Sequence, residues 1–508
     1  MENETVDTLT DQPIVETKNY VIWTMAALAV THFTLNCLYS PHLKWFFLFE
    51  LICVTYYTIR LRPEYSILPL MYLFFIEGQG RIVWEYNSFF RIAFDLVCIF
   101  AVLKSLAIHK KLIPKKMPLY FEVALYLHIA CFCIQLFNIN NIGIFAVFTT
   151  SKMYIFPLLL FTTFLLNPLK GSSKELRNLQ IFVVGLTFLE AGLSWYQMLA
   201  KEKGLEAITP YYVSAMKNGV FAAELFRPFA TTAVAGAISA YLTVTVGFLF
   251  LPSWHGLTRK ILTFITVVLS WLTIFLSQVR SSMIKHILIV LLSIVGFTLI
   301  NKLKAKILIP NIIIAIFFYV LIFHSSLAPN IFKDIDINEA SERFATLEQG
   351  TDLAKKRISI DGFIVQLAEK IYDAPLGLGP GRTGAASALN TDVIAQDPIY
   401  SLESSWTSDN LFIALAIDFG IGMIFYTFLV VGLPIYLFVR SIMMFIRKDT
   451  VRAQVTFTSA VCGLVIVAGN WGANGLPYNP ESFMFWFWMA MGVNHAYEAP
   501  KIDSTTYV

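Results

Sequence analysis

Charged residues are scarce in this sequence. They make up 14% of its 508 residues, whereas an average soluble domain carries about 25%. Hydrophobic residues make up 57%, and the mean hydropathy is +0.65. Too few charges are present to coat a globule of this size, so we expect the surplus apolar surface to face lipid. The net charge of +4 gives no reason to expect nucleic acid as a partner.

The signals of several site classes are also missing. The eight histidines show no metal-ligand spacing, and no G-x-S-x-G or H-E-x-x-H motif occurs, so we expect neither metal nor cofactor. The six cysteines lie inside apolar runs without C-x-x-C spacing, which indicates packing. Gly379–Gly384 matches G-x-G-x-x-G, but no strand precedes it and Pro380 interrupts it, so we exclude a dinucleotide site. A turn that exposes backbone N–H groups to an anion stays open there.

Long apolar runs are what the sequence does contain. Since a spanning helix needs about 20 mostly apolar residues, the sequence predicts an all-α polytopic integral membrane protein of about 12–14 transmembrane helices. The third predicted span stops at Glu77, and the twelfth is long enough to project from the bilayer. The predicted spans are 20–39, 43–60, 65–77, 88–107, 118–137, 145–167, 178–200, 229–251, 260–279, 282–301, 306–323, 409–439, 453–470 and 481–497.

Basic residues predict the orientation of these helices. With a cytoplasmic amino terminus, the short inner connections hold about half of the 38 Lys and Arg residues, and the outer ones hold fewer. Lys302–Lys306 and Arg440–Arg452 lie on either side of the one long polar segment, which places it outside. The predicted order is a cytoplasmic acidic tail (1–18), a membrane domain with the first eleven helices (19–323), a large, partly helical periplasmic loop (324–408), the last three transmembrane helices (409–498) and a cytoplasmic tail (499–508).

The outer segment has a pattern of its own. Apolar residues recur at helical spacing in 339–350 and 361–371, which predicts short helices against the membrane face. The stretch 373–382 is dense in glycine and proline and is therefore predicted to be irregular.

Two arginines border neighbouring spans on the predicted outer face. Arg227 precedes the eighth span and Arg280 follows the ninth. A guanidinium offers a planar fork of donors that suits phosphate, so the pair is a candidate site for an anionic headgroup such as a diphosphate. Each arginine alone is also explained by an interaction with lipid phosphates at the interface. Arg343, Arg357 and Arg382 add positive charge to the outer segment, where a surface or helix-pairing role is the alternative.

A polar cluster, residues 401–410, leads into the twelfth span. Asp409 or Ser408 is expected to cap that helix. Asp409 and Glu403 are also candidates for a general base acting on a hydroxyl near the membrane surface. Both roles are compatible with each other.

The order of these features resembles the O-antigen ligase and O-antigen polymerase superfamily of bacterial inner-membrane glycan-assembly proteins. The matching pieces are Arg-Pro-Phe-Ala at 227–230, Ser-Gln-Val-Arg-Ser-Ser at 277–282, Arg-Ile-Ser-Ile-Asp-Gly-Phe at 357–363, the Gly/Pro run 374–381 and the helix start 408–422. The similarity covers about residues 222–440, and the first half resembles the family in hydropathy only.

The resemblance implies a metal-independent glycosyltransferase at the periplasmic face of the inner membrane. The donor would be an undecaprenyl-diphosphate-linked glycan and the acceptor a glycan or a lipid, with membrane lipids and a chain-length regulator as further expected partners. By the family pattern, Arg227 and Arg280 would bind the donor diphosphate, with Asp409 as the third catalytic residue. Arg357, Arg382, Glu403, Ser408 and Asn410 are the expected substrate-binding residues.

One departure from the family pattern helps to decide between the ligase branch and the polymerase branch. Ligases of the family carry a histidine where this chain has Thr407–Asn410, so that role has no residue here. Asp409 or Glu403 takes it, or the chain belongs to the polymerase branch, which we favour over the ligase. A transporter or flippase is the alternative of another class, since Glu50, Glu77, Asp95 and Glu190 fall within or near predicted spans.

Overall fold

A computed structural model of the chain describes residues 12–38, 40, 42–61, 66–84, 88–110, 117–140, 144–169, 174–199, 221–222, 225–226, 228–232, 235–252, 257–277, 279–300, 360–383, 410–470, 475–476 and 480–497. These residues are mostly helical, and the sheet among them is one pair of two-residue antiparallel strands, β1 (Phe221–Ala222) and β2 (Leu225–Phe226). The all-α fold class is confirmed.

The helices follow the apolar runs of the sequence. In chain order they are α1 (Gln12–Cys37), α2 (Leu43–Arg60), α3 (Ile67–Val83), α4 (Ser88–His109), α5 (Leu119–Gln135), α6 (Ile144–Tyr154), α7 (Phe156–Leu166), α8 (Lys174–Leu199), α9 (Ala235–Thr245, continued by a 3-10 turn Val246–Phe250), α10 (Leu257–Leu276), α11 (Arg280–Ile300), α12 (Ile360–Asp373), α13 (Leu411–Phe419, followed by a 3-10 turn Gly420–Gly422), α14 (Met423–Thr427, followed by a π turn Phe428–Gly432), α15 (Leu433–Ile446), α16 (Thr450–Gly469) and α17 (Glu481–Tyr497).

Each predicted span that falls on described residues coincides with helical structure, and 306–323 lies outside them. Four boundaries were wrong by six residues or more. The first span was started at 20, but α1 starts at Gln12, and the twelfth was ended at 439, but α15 continues to Ile446. The third span was ended at Glu77, but α3 continues through its polar turn to Val83. The eighth span was started at 229, but residues 228–232 form a turn and the helix starts at Ala235. The outer-segment helix predicted at 361–371 is confirmed as α12, and the one at 339–350 lies outside the described residues.

The centre of the bundle is α17. Each residue from Glu481 to Ala496 is buried, as expected for a helix that is apolar on all sides. Trp486 and Trp488 are fully buried in it, and Phe164 of α7 packs edge-on against its Phe483. The cysteines differ in burial. Cys98 and Cys462 are buried as predicted, whereas Cys133 is exposed on α5.

Within the described residues, four helices are long and apolar enough to cross a membrane: Tyr20–Cys37, Leu176–Met198, Leu411–Ile446 and Thr450–Gly469. Large apolar side chains are exposed on the outward faces of the bundle, for example Trp23 on α1, Trp45 on α2 and Leu103 on α4. Soluble monomers rarely expose continuous apolar faces. Both observations support the prediction of a membrane protein.

Polar contacts tie the helix ends together at two opposite ends of the bundle. At one end, here called the Asn470 end, the Leu411 N–H donates to the Asn470 carbonyl and the Asn470 amide donates to Glu481. At the other, the Phe250 end, Gln454 donates to the Phe250 carbonyl. Gln454 and Asn470 stand at the two ends of α16, which at 1.5 Å per residue separates them by about 24 Å.

Candidate functional site

Residues 228–232, directly after Arg227, form a turn buried inside the bundle. Ala230 has φ of 48°, in the left-handed region that a helix does not use. The side chain of Gln197, near the end of α8, accepts from the Phe229 and Ala230 N–H groups at 3.1 and 2.9 Å and donates to the Ala230 carbonyl at 3.2 Å. Because α9 runs from this turn to Phe250, the turn lies toward the Asn470 end.

Glu190, two turns earlier on α8, extends this arrangement. Its carboxylate accepts from the Thr231 N–H at 3.2 Å and from the Thr231 hydroxyl, and the Gln79 N–H donates to the Thr231 carbonyl at 2.6 Å. These groups are all buried. A polar side chain buried among apolar helices is stable only with its hydrogen bonds made, so Glu190 is explained by the turn that it holds.

A second buried cluster continues from Gln79 into the first helices. The Gln79 side-chain oxygen lies 2.6 Å from Nε2 of His32, and His32 Nδ1 lies 2.8 Å from the Glu50 carboxylate. Tyr72 also donates to Glu50. Each of these side chains is buried. The buried carboxylates Glu50 and Glu190, which kept a transporter in consideration, are therefore both hydrogen-bonded within the protein.

Glu77 and Asp95 form a third group with a lysine. Lys152 of α6 lies 2.7 Å from the Asp95 carboxylate and 3.9 Å from that of Glu77. The Lys152 and Asp95 side chains are 22% and 29% exposed, so this group is only partly buried. The ion pair joins α6 to α3 and α4.

The helix that starts at Arg280 is anchored by a buried ion pair. Lys285 of α11 donates to the Glu481 carboxylate at 2.7 Å, with the two side chains only 6% and 5% exposed. Asn470 donates to the same carboxylate oxygen at 3.0 Å, and its own side-chain oxygen accepts from the Gly475 and Leu476 N–H groups. Since Asn470 also contacts Leu411, this cluster connects the starts of α11, α13 and α17.

Asn410 caps α13. Its side-chain oxygen accepts from the Phe412 and Ile413 N–H groups at 2.9 and 3.2 Å, which satisfies donors that have no partner inside the helix. The cap was predicted at Asp409 or Ser408, and that prediction was wrong. The helix starts later than a cap at either residue requires, because Asn410 still has extended backbone angles and supplies the capping oxygen itself.

The Gly/Pro stretch predicted to be irregular packs against a break in the twelfth span. Leu378 N–H donates to the Ile417 carbonyl at 2.7 Å, and Ile421 N–H donates to the Pro375 carbonyl at 2.9 Å. Gly377 and Gly420 have φ of 78° and 55°, and a Cβ at Gly377 would lie 2.6 Å from the Asp418 carbonyl oxygen. Only glycine suits both the backbone angle and the close approach. Two of the sequence motifs quoted above, 374–381 and 408–422, therefore pack directly against each other.

The turn at 381–383 lies against a buried carboxyl group of the protein itself. Asp418 is buried in α13, and its Oδ2 atom accepts from the Thr383 hydroxyl at 3.1 Å. This contact joins the turn to α13. Binding of an external anion by the turn stays a prediction.

Arg382 connects this loop to the end of α5. Its guanidinium donates through Nη2 to the Asn140 carbonyl at 2.8 Å and through Nε at 3.2 Å. Asn138 donates to the Gly377 carbonyl at 3.1 Å, and Gln135 donates to the Leu376 carbonyl. The end of α5 and the residues that follow it therefore contact the loop at several points. These contacts give Arg382 a structural role, and its role in substrate binding stays a prediction.

The remaining predicted site residues are distributed as follows. Arg280 is the first residue of α11, with its side chain outside the described set. The other predicted site residues lie outside the described residues: Arg227, Arg357, Glu403, Ser408 and Asp409. No structural result therefore tests their roles.

Sequence reasoning missed the residues that organise this end of the bundle, namely Gln197, Lys285, Asp418, Asn470 and Glu481. A signal existed for two of them, since Lys285 and Asp418 are charged residues inside apolar runs, and such residues are usually paired. The partners were not visible because Lys285 and Glu481 are separated by 196 residues.

No protein-family model matches the chain, and no curated protein is similar to it in sequence. The family resemblance therefore remains a prediction that rests on the order of the motifs in the sequence.

Proposed function

We propose that the chain is a metal-independent membrane glycosyltransferase of the polymerase type. It transfers a surface-polysaccharide unit from an undecaprenyl diphosphate carrier to a sugar hydroxyl at the periplasmic face of a bacterial inner membrane. The donor and acceptor are both membrane-linked glycans. A ligase that transfers the glycan to lipid A-core is the alternative within the same family.

The observation that carries the proposal is that three helices begin toward the same end of the bundle. The turn after Arg227 leads into α9, Arg280 starts α11, and Asn410 caps α13. The Thr243 hydroxyl of α9 donates to the Ser282 carbonyl at 3.1 Å, and the Lys285–Glu481–Asn470 cluster joins α11 to Leu411. All three helices therefore begin toward the Asn470 end.

The proposed role of Arg227 and Arg280 follows from the charge that glycosyl transfer develops. The acceptor hydroxyl oxygen forms a bond to the anomeric carbon, while the bond from that carbon to the diphosphate oxygen breaks. Undecaprenyl diphosphate leaves with an added negative charge, which Arg227 and Arg280 stabilise. The hydroxyl proton passes to a carboxylate, Asp409 or Glu403.

The opposite end supports the assignment of sides. Lys104 donates to the Ile59 carbonyl at 2.6 Å and Arg452 to the His495 carbonyl at 2.8 Å, and both contacts lie where α4 and α17 end. His495 is near Tyr497, whose ring lies 5.5 Å from the Arg440 guanidinium. Basic residues collect on the cytoplasmic side of membrane proteins, which supports the proposal that the Phe250 end is cytoplasmic and the Asn470 end periplasmic.

Purified protein in liposomes with an undecaprenyl-diphosphate-linked repeat unit tests the proposal. We expect products with two or more joined units and release of undecaprenyl diphosphate. A strain that lacks the gene is expected to keep single attached units on its surface glycan and to lose long chains. Transfer in vitro to a lipid acceptor but not to a second glycan would replace the polymerase by a ligase.

The transporter reading predicts a different result from the same preparation. A flippase moves the lipid-linked unit across the liposome membrane without breaking its diphosphate bond. Movement without bond cleavage would overturn the enzyme proposal. The hydrogen bonds of Glu50 and Glu190 inside the protein give both residues a structural role that needs no cargo.

A further inference from the structure

We propose that Gln197 and Glu190 are positioning residues for the donor site, holding the buried turn 228–232 and, through it, the direction in which the chain leaves Arg227. This inference rests on the proposed function, in which Arg227 binds the donor diphosphate. Neither residue touches the reacting atoms in this scheme. They act on the backbone that carries the arginine.

The first step of the argument is the backbone of the turn itself. Among apolar helices, an N–H or C=O group without a partner costs several kcal/mol. The Phe229 and Ala230 N–H groups and the Ala230 carbonyl all bond to the single side chain of Gln197. The Thr231 N–H bonds to Glu190, and the Thr231 carbonyl accepts from the Gln79 N–H. Side chains of α8 thus replace the hydrogen bonds that a helix would provide.

The second step is the rigidity of the groups that hold the turn. Gln197 and Glu190 are seven residues apart on α8 and point to the same side of that helix. Glu190 is fully buried and Gln197 is 5% exposed, so neither side chain has room for another rotamer. The turn is tied at three consecutive residues to one rigid helix, and on its other side Gln79 ties it to α3.

The third step concerns Arg227. It lies outside the described residues, but its chain neighbours Phe226 and Pro228 lie inside them. Pro228 has a fixed φ, and the residues that follow it are tied to α8. A misplacement of about 1 Å at a catalytic group lowers turnover by up to roughly 100-fold, so loss of the Gln197 bonds is expected to weaken donor binding and turnover.

Gln180 provides a matched control on the same helix. It is fully buried, and its amide donates to the Phe248 carbonyl at 2.6 Å. It lies 17 residues from Gln197, which at 1.5 Å per residue is about 25 Å away, toward the Phe250 end. Gln197→Met and Gln180→Met each replace a buried amide by an apolar side chain of similar length.

The first measurement is hydrogen–deuterium exchange, which needs no enzymatic activity. In Gln197→Met, the Phe229 and Ala230 amides lose their acceptor, and we expect their exchange to accelerate at least about tenfold. In Gln180→Met, the same amides are expected to exchange at the wild-type rate. Equal protection of the 228–232 amides in wild type and Gln197→Met would overturn the proposal.

The second measurement is binding of undecaprenyl diphosphate without a glycan. We expect Kd to rise about tenfold in Gln197→Met and to stay within twofold of wild type in Gln180→Met. Equal weakening in both variants would mean a general loss of stability and would overturn the positioning role. If the wild type itself does not bind the lipid, the proposed function fails, while the exchange measurement still decides whether Gln197 holds the turn.

A second pair of variants tests the same turn if Gln197→Met does not fold. Thr231→Val keeps the side-chain shape but removes the hydroxyl, which contacts Glu190 and the Phe75 carbonyl, whereas Thr231→Ser keeps the hydroxyl. We expect Thr231→Val to accelerate exchange in 229–231 and to weaken lipid binding, and Thr231→Ser to match the wild type. Identical behaviour of these two variants would contradict a positioning role for Glu190.

Discussion

The buried ion pair between Lys285 and Glu481 offers the sharpest test of how the Asn470 end is held together. Replacing Lys285 by Met removes the charge and keeps the unbranched stem, whose Cδ lies 2.7 Å from the position of a Cβ on Gly469. Glu481 is then left buried with the Asn470 amide as its remaining partner among the contacts described above. An uncompensated buried charge destabilises a protein by about 3–5 kcal/mol.

A double variant separates the stability contributed by the ion pair from the cost of leaving one charge buried alone. Lys285→Met with Glu481→Leu removes both charges, and such replacements are often neutral. Asn470 loses one hydrogen bond, worth about 1 kcal/mol, and keeps the one to the Ile466 carbonyl at 2.8 Å. The double variant is therefore expected to lose about 0–2 kcal/mol, less than either single variant.

The assay is reversible unfolding in mixed micelles titrated with sodium dodecyl sulfate, followed by circular dichroism. The control is Asp449→Asn at the opposite end, where Asp449 and Arg452 are 3.0 Å apart but 30% and 18% exposed. An exposed pair contributes about 1 kcal/mol or less. If Lys285→Met costs no more than this control, or if the two single losses simply add in the double variant, the reasoning about a buried pair is refuted.

Three further predictions concern the proposed site. Arg280→Lys keeps the charge but loses the two-pronged donor fork, so transfer is expected to fall at least about tenfold at unchanged membrane abundance; normal activity would remove Arg280 from the mechanism. Asp409→Asn leaves the Asn410 cap in place and removes a carboxylate, so turnover should fall without a change in unfolding midpoint, and wild-type turnover would leave Glu403 as the candidate base. Asn410→Ala removes the cap of α13 and should destabilise the protein by about 1–2 kcal/mol in the same unfolding assay. Asn410→Asp, which keeps the acceptor, is its control, and equal stability of the two variants would argue against the cap.

Much of the local structure could be predicted because it depends on short-range properties of the chain. Apolar runs of about 20 residues predicted the helices, and the glycines and prolines of 373–382 predicted an irregular loop. The errors occurred where a distant contact changed a local preference. Residues 229–232 were predicted to begin the eighth span, but they form a turn whose backbone bonds to side chains of α8. Likewise, α13 starts at Leu411, whose N–H donates to the distant Asn470 carbonyl.

The sequence alone therefore determined the all-α class, the positions of the helices and the candidate arginines, since hydrophobic length and residue type act locally. Tertiary structure decided which polar groups inside the bundle are satisfied by one another. Lys285 pairs with Glu481, Gln197 bonds to the turn after Arg227, and Asp418 accepts from the Thr383 hydroxyl. Each of these groups needs a partner wherever water is excluded. The identity of the partner depends on how distant segments pack, and no local pattern in the chain encodes it.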